Sequence, residues 1–269
     1  MPSSIRIGET ELSFVKENVY KIETSKLILD SITDNMEQRN IDVNISIHTS
    51  TSVKKREHSH SHSHAHAHGN IEAQIKASSV MPLTKFLLKK ENKHGVSFDI
   101  ILHFIGNIGN QLTFLKNQGF SIPFFSLEDI IVIDEIVFAF VNNDKVFKME
   151  SDSMSRQSNT ITIDYPILYD AHTSFIPPNI GFRDSHRSEH SEHSEHSSRD
   201  HEMKLPIHIH FSAAFYSLAQ ICVYVFLRKK IKTEEDYEKE ASPFIYTSLY
   251  WCLKRCLDKD ENRRILLYV

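Results

Sequence analysis

The chain has 269 residues, 40% of them hydrophobic, with a formal net charge of −4 at pH 7 and a pI near 6.5. That length and apolar share suit one large domain or two small lobes around a proper core. The mild negative balance excludes a general electrostatic pull toward nucleic acid or acidic membranes, and Lys54-Lys55-Arg56 and Arg228-Lys229-Lys230 are too short to reverse it. Cys222, Cys252 and Cys256 make no disulfide framework and read as core residues of a reducing compartment. The opening MPSSIRIGETELS carries no apolar signal region, so the expected location is the cytoplasm, with the nucleus as the other default.

In chain order, Glu11 to Ile22 reads as strand, and Ser25 to Glu37 as an amphipathic helix with Leu27, Leu29, Ile32 and Met36 on one face. Val43, Ile45 and Ile47 alternate with polar residues, as do Ile71, Ala73, Ile75 and Ala77, which predicts a hairpin with a swollen tip. The tip holds HSHSHSHAHAH, residues His58 to His68, whose six histidines would stand about 7 Å apart along one edge of an extended chain. Such a repeat offers interchangeable imidazoles and no fixed tetrahedron, so weak, heterogeneous divalent-metal affinity is expected rather than a structural site. A second tract, SEHSEHSEHSS from Ser188 to Ser198, repeats every three residues. Both read as low-complexity, disordered insertions, spanning 50–70 and 181–203. Imidazoles also charge as pH falls through about 6.5, though nothing in the sequence links that to an activity.

Phe98, Ile101, Ile105, Ile108, Leu112 and Leu115 give the clearest helical period in the chain, and Gly106 and Gly109 within it predict close helix packing. A turn at Gly119–Pro123 leads to strands Ile130–Ile133 and Val137–Val141, then to Asn142-Asn143-Asp144 as a hairpin turn into Lys145–Met149. Met149 to Ser158 reads as polar and irregular. Ile161–Ile167 precedes SFIPPN, Ser174 to Asn179. Phe211–Leu227 spans roughly 17 residues, the short limit for a membrane helix, and its Ser212, Ser217 and Gln220 favour a buried helix instead. Thr233–Ala241, with five acidic residues, predicts a solvated helical turn, and Pro243–Asp258 an amphipathic helix holding Trp251. Arg263 to Val269 is apolar again.

This succession resembles the protein kinase fold over Val80 to Val269, with a cast similar to kinase-like proteins of large DNA viruses. SSVMPLTKFL, Ser78 to Leu87, resembles the lobe-joining hinge, and Phe98–Leu115 the long helix before the catalytic loop. IPFFSLEDIIVI lies over the H-R-D-L-x-x-x-N pattern and its following strand. SFIPPN resembles the A-P-E segment, FYSLAQICVYVF the buried helix usually written D-x-x-S-x-G, and CLKRCLDKDENRR the closing element. The resemblance implies an α+β, two-lobe fold: a reduced β-rich N-lobe over residues 1–80 and a mainly helical C-lobe over 81–269, each carrying one histidine-rich insertion.

Phosphoryl transfer needs a carboxylate near the substrate hydroxyl, bound Mg2+ and a lysine on the phosphates. With Asp129 at the metal-binding Asn position, the proton acceptor falls on Phe124 and the preceding His and Arg on Ile122 and Pro123. The D-F-G position falls on Asn142-Asn143-Asp144, where Asn142 is a neutral ligand and a two-residue slip would bring in Asp144. Gly8 is the sole glycine of the first 68 residues, so no glycine-rich phosphate loop exists there. Lys21 is the nearest candidate for the phosphate lysine, with Glu37 as its helical partner. The A-P-E glutamate aligns with Asn179, which removes the usual pair of Arg264. The aspartate and glycine of the buried helix align with Ala214 and Ala219. Packing of Phe215, Leu218, Ile221 and Val225, roughly 2 kcal/mol each, would compensate.

Loss of a general base alone costs a factor on the order of 100 to 10,000. The resemblance therefore implies a pseudokinase: a binding or scaffolding protein with a protein partner, no cofactor, and no assigned catalytic, cofactor-binding or metal residue. One alternative is an atypical Ser/Thr kinase that uses Asp129 and Asp144 as metal ligands. Another is a histidine-rich metal-binding protein on a kinase-like carrier. No nucleic-acid or membrane partner is expected.

Overall fold

The computed structural model describes residues 4–38, 45–48, 71–91, 96–151, 157–167, 170, 173–178, 180, 182–183, 202–203, 205–231 and 234–266. The chain is α+β, with several antiparallel sheets and, among the described residues, six α-helices.

The first sheet runs in the order β1 (Ser4–Ile7), β2 (Thr10–Lys16), β3 (Val19–Thr24), β5 (Ile71–Lys76), β4 (Ile45–His48), all antiparallel. Leu12, Ile22 and Ala73 lie opposite one another across β2, β3 and β5 and are buried. This is the period-2 pattern turned toward one core. The expected hairpin is present: Ile45 faces Ile75 and Ile47 faces Ala73. Its tip, with the first histidine tract, lies outside the described residues. The single strand expected over Glu11–Ile22 is instead two strands. Asn18 breaks it with φ of 58°, a left-handed conformation that asparagine tolerates. Helix α1 (Lys26–Gln38) follows β3 and buries Leu29, Ile32 and Met36 as expected, but in its first turn Ile28 is the buried residue and Leu27 is only half-buried.

The segment read as a hinge forms β6 (Val80–Pro82), which pairs with β9 (Ile130–Ile133), and then helix α2 (Leu83–Glu91). Helix α3 (Phe98–Asn117) starts where the Ser97 hydroxyl accepts from the Ile100 amide and Asp99 meets the positive end of the helix. Gly109 serves close packing, though against the tail rather than another helix as expected: a Cβ there would lie 2.9 Å from Leu266. Short strands β7 (Phe120–Ser121) and β8 (Phe125–Ser126) precede the β9 and β10 (Val137–Phe140) hairpin.

Strand β10 is the outer strand of the β10-β9-β6 sheet, and α3 covers its open edge. Asn107 Oδ1 accepts from the Phe138 amide at 2.9 Å and Gln111 Oε1 from the Phe140 amide at 2.8 Å. Four residues of helix rise about 6 Å and two of strand about 6.8 Å, so the amides meet alternate backbone groups. Gln111 also reaches Ser31 Oγ of α1 at 3.0 Å, which ties α1, α3 and β10 together.

A second sheet runs β7, β11 (Phe147–Ser151), β12 (Gln157–Ile163) and β16 (Ile207–His210). Phe147, Met149, Ile161, Ile163 and Ile209 form its buried face. The irregular stretch expected from Met149 is thus strand to Ser151, and strand again from Gln157. Strand β13 (Ser174–Phe175) pairs with β8. Strands β14 (Phe182–Arg183) and β15 (Glu202–Met203) pair on either side of the second histidine tract, which lies outside the described residues.

Helix α4 (Ala213–Leu227) is buried on most sides, and no helix among the described residues is long and apolar enough to cross a membrane. Cys222, Cys252 and Cys256 are free and buried; burial pushes the Cys222 thiol well up. The acidic stretch forms helix α5 (Glu234–Glu240). It is not simply solvated, because Tyr237 is wholly buried and donates to the Tyr250 carbonyl at 2.7 Å. Helix α6 (Ser248–Cys256) is shorter than expected: a turn at Ser242–Phe244 precedes it and the Thr247 hydroxyl caps it.

The β9–β10 turn places Asp134 and Glu135 at positive φ, 50° and 63°. Asp134 accepts from the Ser79 amide at 2.9 Å, and Glu135 sits between Lys89 and Lys90 of α2 at 2.5 and 2.7 Å. The hydrogen bond from Lys89, then that from Lys90, brings the Glu135 carboxyl down to about 2 from its usual 4.5. A depressed carboxyl stabilises the fold above its unfolded value and loses that contribution as pH falls through the folded value. The partners are partly exposed, so the contribution is under about 1 kcal/mol. Glu135→Gln should therefore melt about 1 °C or more below the parent at pH 7, with the gap closing as pH drops from 4.5 toward 2; a gap constant across that window would contradict the pairing.

Candidate functional site

The loop between β8 and β9 is built around Asp129, which ends a short 3-10 turn over Leu127–Asp129. The carboxylate is buried and takes three donors. Its Oδ2 accepts from the Ser126 amide and from Lys145 Nζ, both at 2.7 Å. Its Oδ1 accepts from Asn142 Nδ2 at 2.7 Å. A carboxylate has about four lone-pair positions, so little acceptor capacity is left over.

Lys145 is buried to the same degree, with 4% of its side chain accessible against 3% for Asp129. Its ammonium also donates to Ser126 Oγ at 2.8 Å and lies 4.8 Å from the centre of the Phe124 ring. Ser126 Oγ in turn meets Ser174 Oγ of β13 at 2.7 Å. Asp129 is therefore the acid of a turn and the partner of an internal cation. A second cation at its oxygens would have to displace the Lys145 ammonium.

The other positions singled out in the sequence fall as follows. Phe124, aligned with the proton acceptor, is fully buried in the second core with Phe147, Met149 and Ile161. Ile122 and Pro123 are buried and Glu128 is exposed. Asn142-Asn143-Asp144 makes a turn, with the Asp144 amide donating to Asn142 Oδ1 at 3.1 Å, but not the expected hairpin, because it leads from β10 to β11 of a different sheet. Asn142 is buried and engaged with Asp129, while Asp144 is exposed. Lys21 pairs with Glu72 of β5 at 2.7 Å, not with Glu37, which is exposed at the end of α1; the hydrogen bond to Glu72 raises the Lys21 pKa. Asn179 and both histidine tracts lie outside the described residues. Among the described residues no group of three or more His, Cys, Asp or Glu side chains is placed to hold a metal.

Arg264 is buried. Its Nε donates to the Asp258 carbonyl at 2.7 Å, and its guanidinium lies 4.9 Å from the centre of the Tyr216 ring. Ala214 and Ala219 are buried in α4, as the apolar reading of that helix required. The polar tie from α4 to the loop comes from Ser217 instead. Its hydroxyl accepts from the Phe125 amide at 2.7 Å and donates to the Phe175 carbonyl at 2.5 Å. Ser217 was visible as the serine of the D-x-x-S-x-G pattern, but its double bond to β8 and β13 was not.

No protein-family model and no curated protein sequence matches the chain.

Ser217→Ala would leave the Phe125 amide and the Phe175 carbonyl buried without their partner. The expected cost is about 1–3 kcal/mol in urea unfolding with an unchanged m-value. A loss under about 0.5 kcal/mol would show that this tie contributes nothing.

Proposed function

We propose that the chain is a pseudokinase-like binding or scaffolding protein, a two-lobed scaffold that holds a protein partner and performs no phosphotransfer. The observation that carries this reading is the closed polar cluster at Asp129. Lys145 neutralises the acid that would hold Mg2+, and a buried phenylalanine, Phe124, stands where the proton acceptor would be. A ring has no basic atom for the substrate hydroxyl, and a carboxylate already paired with an internal ammonium would bind a cation only by displacing it.

The order of elements also supports the kinase likeness. A five-stranded antiparallel sheet carries a helix between its third and fourth strands. A long helix precedes a loop and hairpin, β11 returns to pair with β7 before that loop, and a buried helix sits beneath it. In this reading residues 1–80 form the N-lobe and 81–269 the C-lobe, and the protein works in the cytoplasm.

The test is differential scanning fluorimetry with ATP, with and without Mg2+, on protein lacking both histidine tracts, paired with a radioactive phosphate-transfer assay. No thermal shift and no labelling are expected. A Mg-ATP shift of several degrees that Asp144→Ala abolishes, or label on a substrate, would replace this reading with an atypical kinase.

A further inference from the structure

The β1–β2 turn touches the same cluster from the opposite side. Ile7 and Thr10 face each other across the hairpin, so Gly8 and Glu9 form the turn. Gly8 has φ of 56°, a conformation that disfavours any side chain. A Cβ there would lie 2.7 Å from Asp144 Oδ2 and closer still to Asn142 Oδ1. The Asn142 tip cannot swing away freely. Asn142 is fixed by its bond to Asp129 Oδ1 and by accepting from the Asp144 amide. The positive φ and the approach of the turn to these side chains are enough to require the glycine.

Two residues on, a buried hydrogen bond joins the sheet to the same loop. Thr10 Oγ1 donates to the Val141 carbonyl at 2.6 Å, across 131 residues of sequence. With its proton committed there, Thr10 accepts from Thr24 Oγ1 of β3 at 2.8 Å. Val141 in turn donates its amide to the Asp129 carbonyl at 2.9 Å. A continuous chain of bonds thus runs from β3 through β2 to the loop that holds Asp129 and Lys145.

We propose that the Gly8–Thr10 turn is an intramolecular latch that holds the N-terminal sheet closed on the 141–144 loop and covers Asn142 with backbone. This goes beyond the functional reading above and does not depend on it. Closure is maintained by atoms of the chain itself, so a ligand of the buried Asn142 would reach it only after the latch opens. The closed arrangement of sheet and loop is then the form a partner meets.

Hydrogen–deuterium exchange on the full chain tests this. Thr10→Val keeps the shape and removes the donor; Gly8→Ala adds the obstructing methyl; Thr10→Ser restores the hydroxyl. Amides of residues 140–146 should exchange about tenfold faster in Thr10→Val and Gly8→Ala, the loss expected from one buried hydrogen bond. Thr10→Ser should stay within about twofold of the parent there, and amides of α3 and α4 should be unchanged in all three. The proposal is overturned if Thr10→Val leaves 140–146 at the parent rate, or if it accelerates α3 and α4 as much as that loop. Neither result depends on nucleotide binding, so failure here leaves the scaffold reading standing.

Discussion

A single ion pair, Lys145 with Asp129, organises the centre of this protein. Both side chains are withdrawn from water, where each charge alone would cost several kcal/mol. The structure offsets that cost with geometry. Asp129 receives an ammonium, an amide and a carboxamide, while Lys145 gives to a carboxylate and a hydroxyl and lies against a ring. Such a pair adds little net stability over apolar residues of the same volume, but breaking it leaves an uncompensated charge inside. It fixes the relation of the β8–β9 loop to the turn after β10, and everything proposed about function follows from that fixed relation.

Around the pair, the backbone is satisfied by side chains reaching from helices rather than by longer sheets. Asn107 and Gln111 of α3 complete the outer edge of β10, and Ser217 of α4 serves β8 and β13 together. An unpaired buried amide costs about as much as a lost hydrogen bond, so these polar positions are placed as strictly as the core residues. Short strands of two residues, such as β7, β8 and β13, persist because these ties and the core at Phe124 hold them. The same polar economy reaches the N-terminal sheet through Thr10, which makes the β1–β2 turn part of the central cluster rather than an outlying hairpin.

What the sequence made legible follows the strength of its periods. Helix α3 was evident because apolar residues recur without interruption from Phe98 to Leu115. The β4–β5 hairpin was evident because Ile45, Ile47, Ile71, Ala73 and Ile75 alternate cleanly around a polar insert. Lys145 was missed, since a lysine after Asn-Asn-Asp reads as a solvated turn and only its partner's position draws it inside. Tyr237 was missed because five acids surround one inward-facing ring. Gly8 entered the sequence reading only as a lone glycine that makes no phosphate loop, and its contact with Asn142 and Asp144 is a property of the fold. Asp129 was found from its place in a pattern, but its pairing is a property of three residues up to 16 positions away.

The most direct measurement of the central claim is a double-mutant cycle between Asp129 and Lys145, using Asp129→Asn, Lys145→Met and both together in urea unfolding. Each single change should cost about 3–5 kcal/mol, and the double should cost no more than either one, giving a coupling of about 3 kcal/mol or more. Additive losses within about 0.5 kcal/mol would mean that the two charges do not depend on each other, and that Asp129 is available for a cation after all.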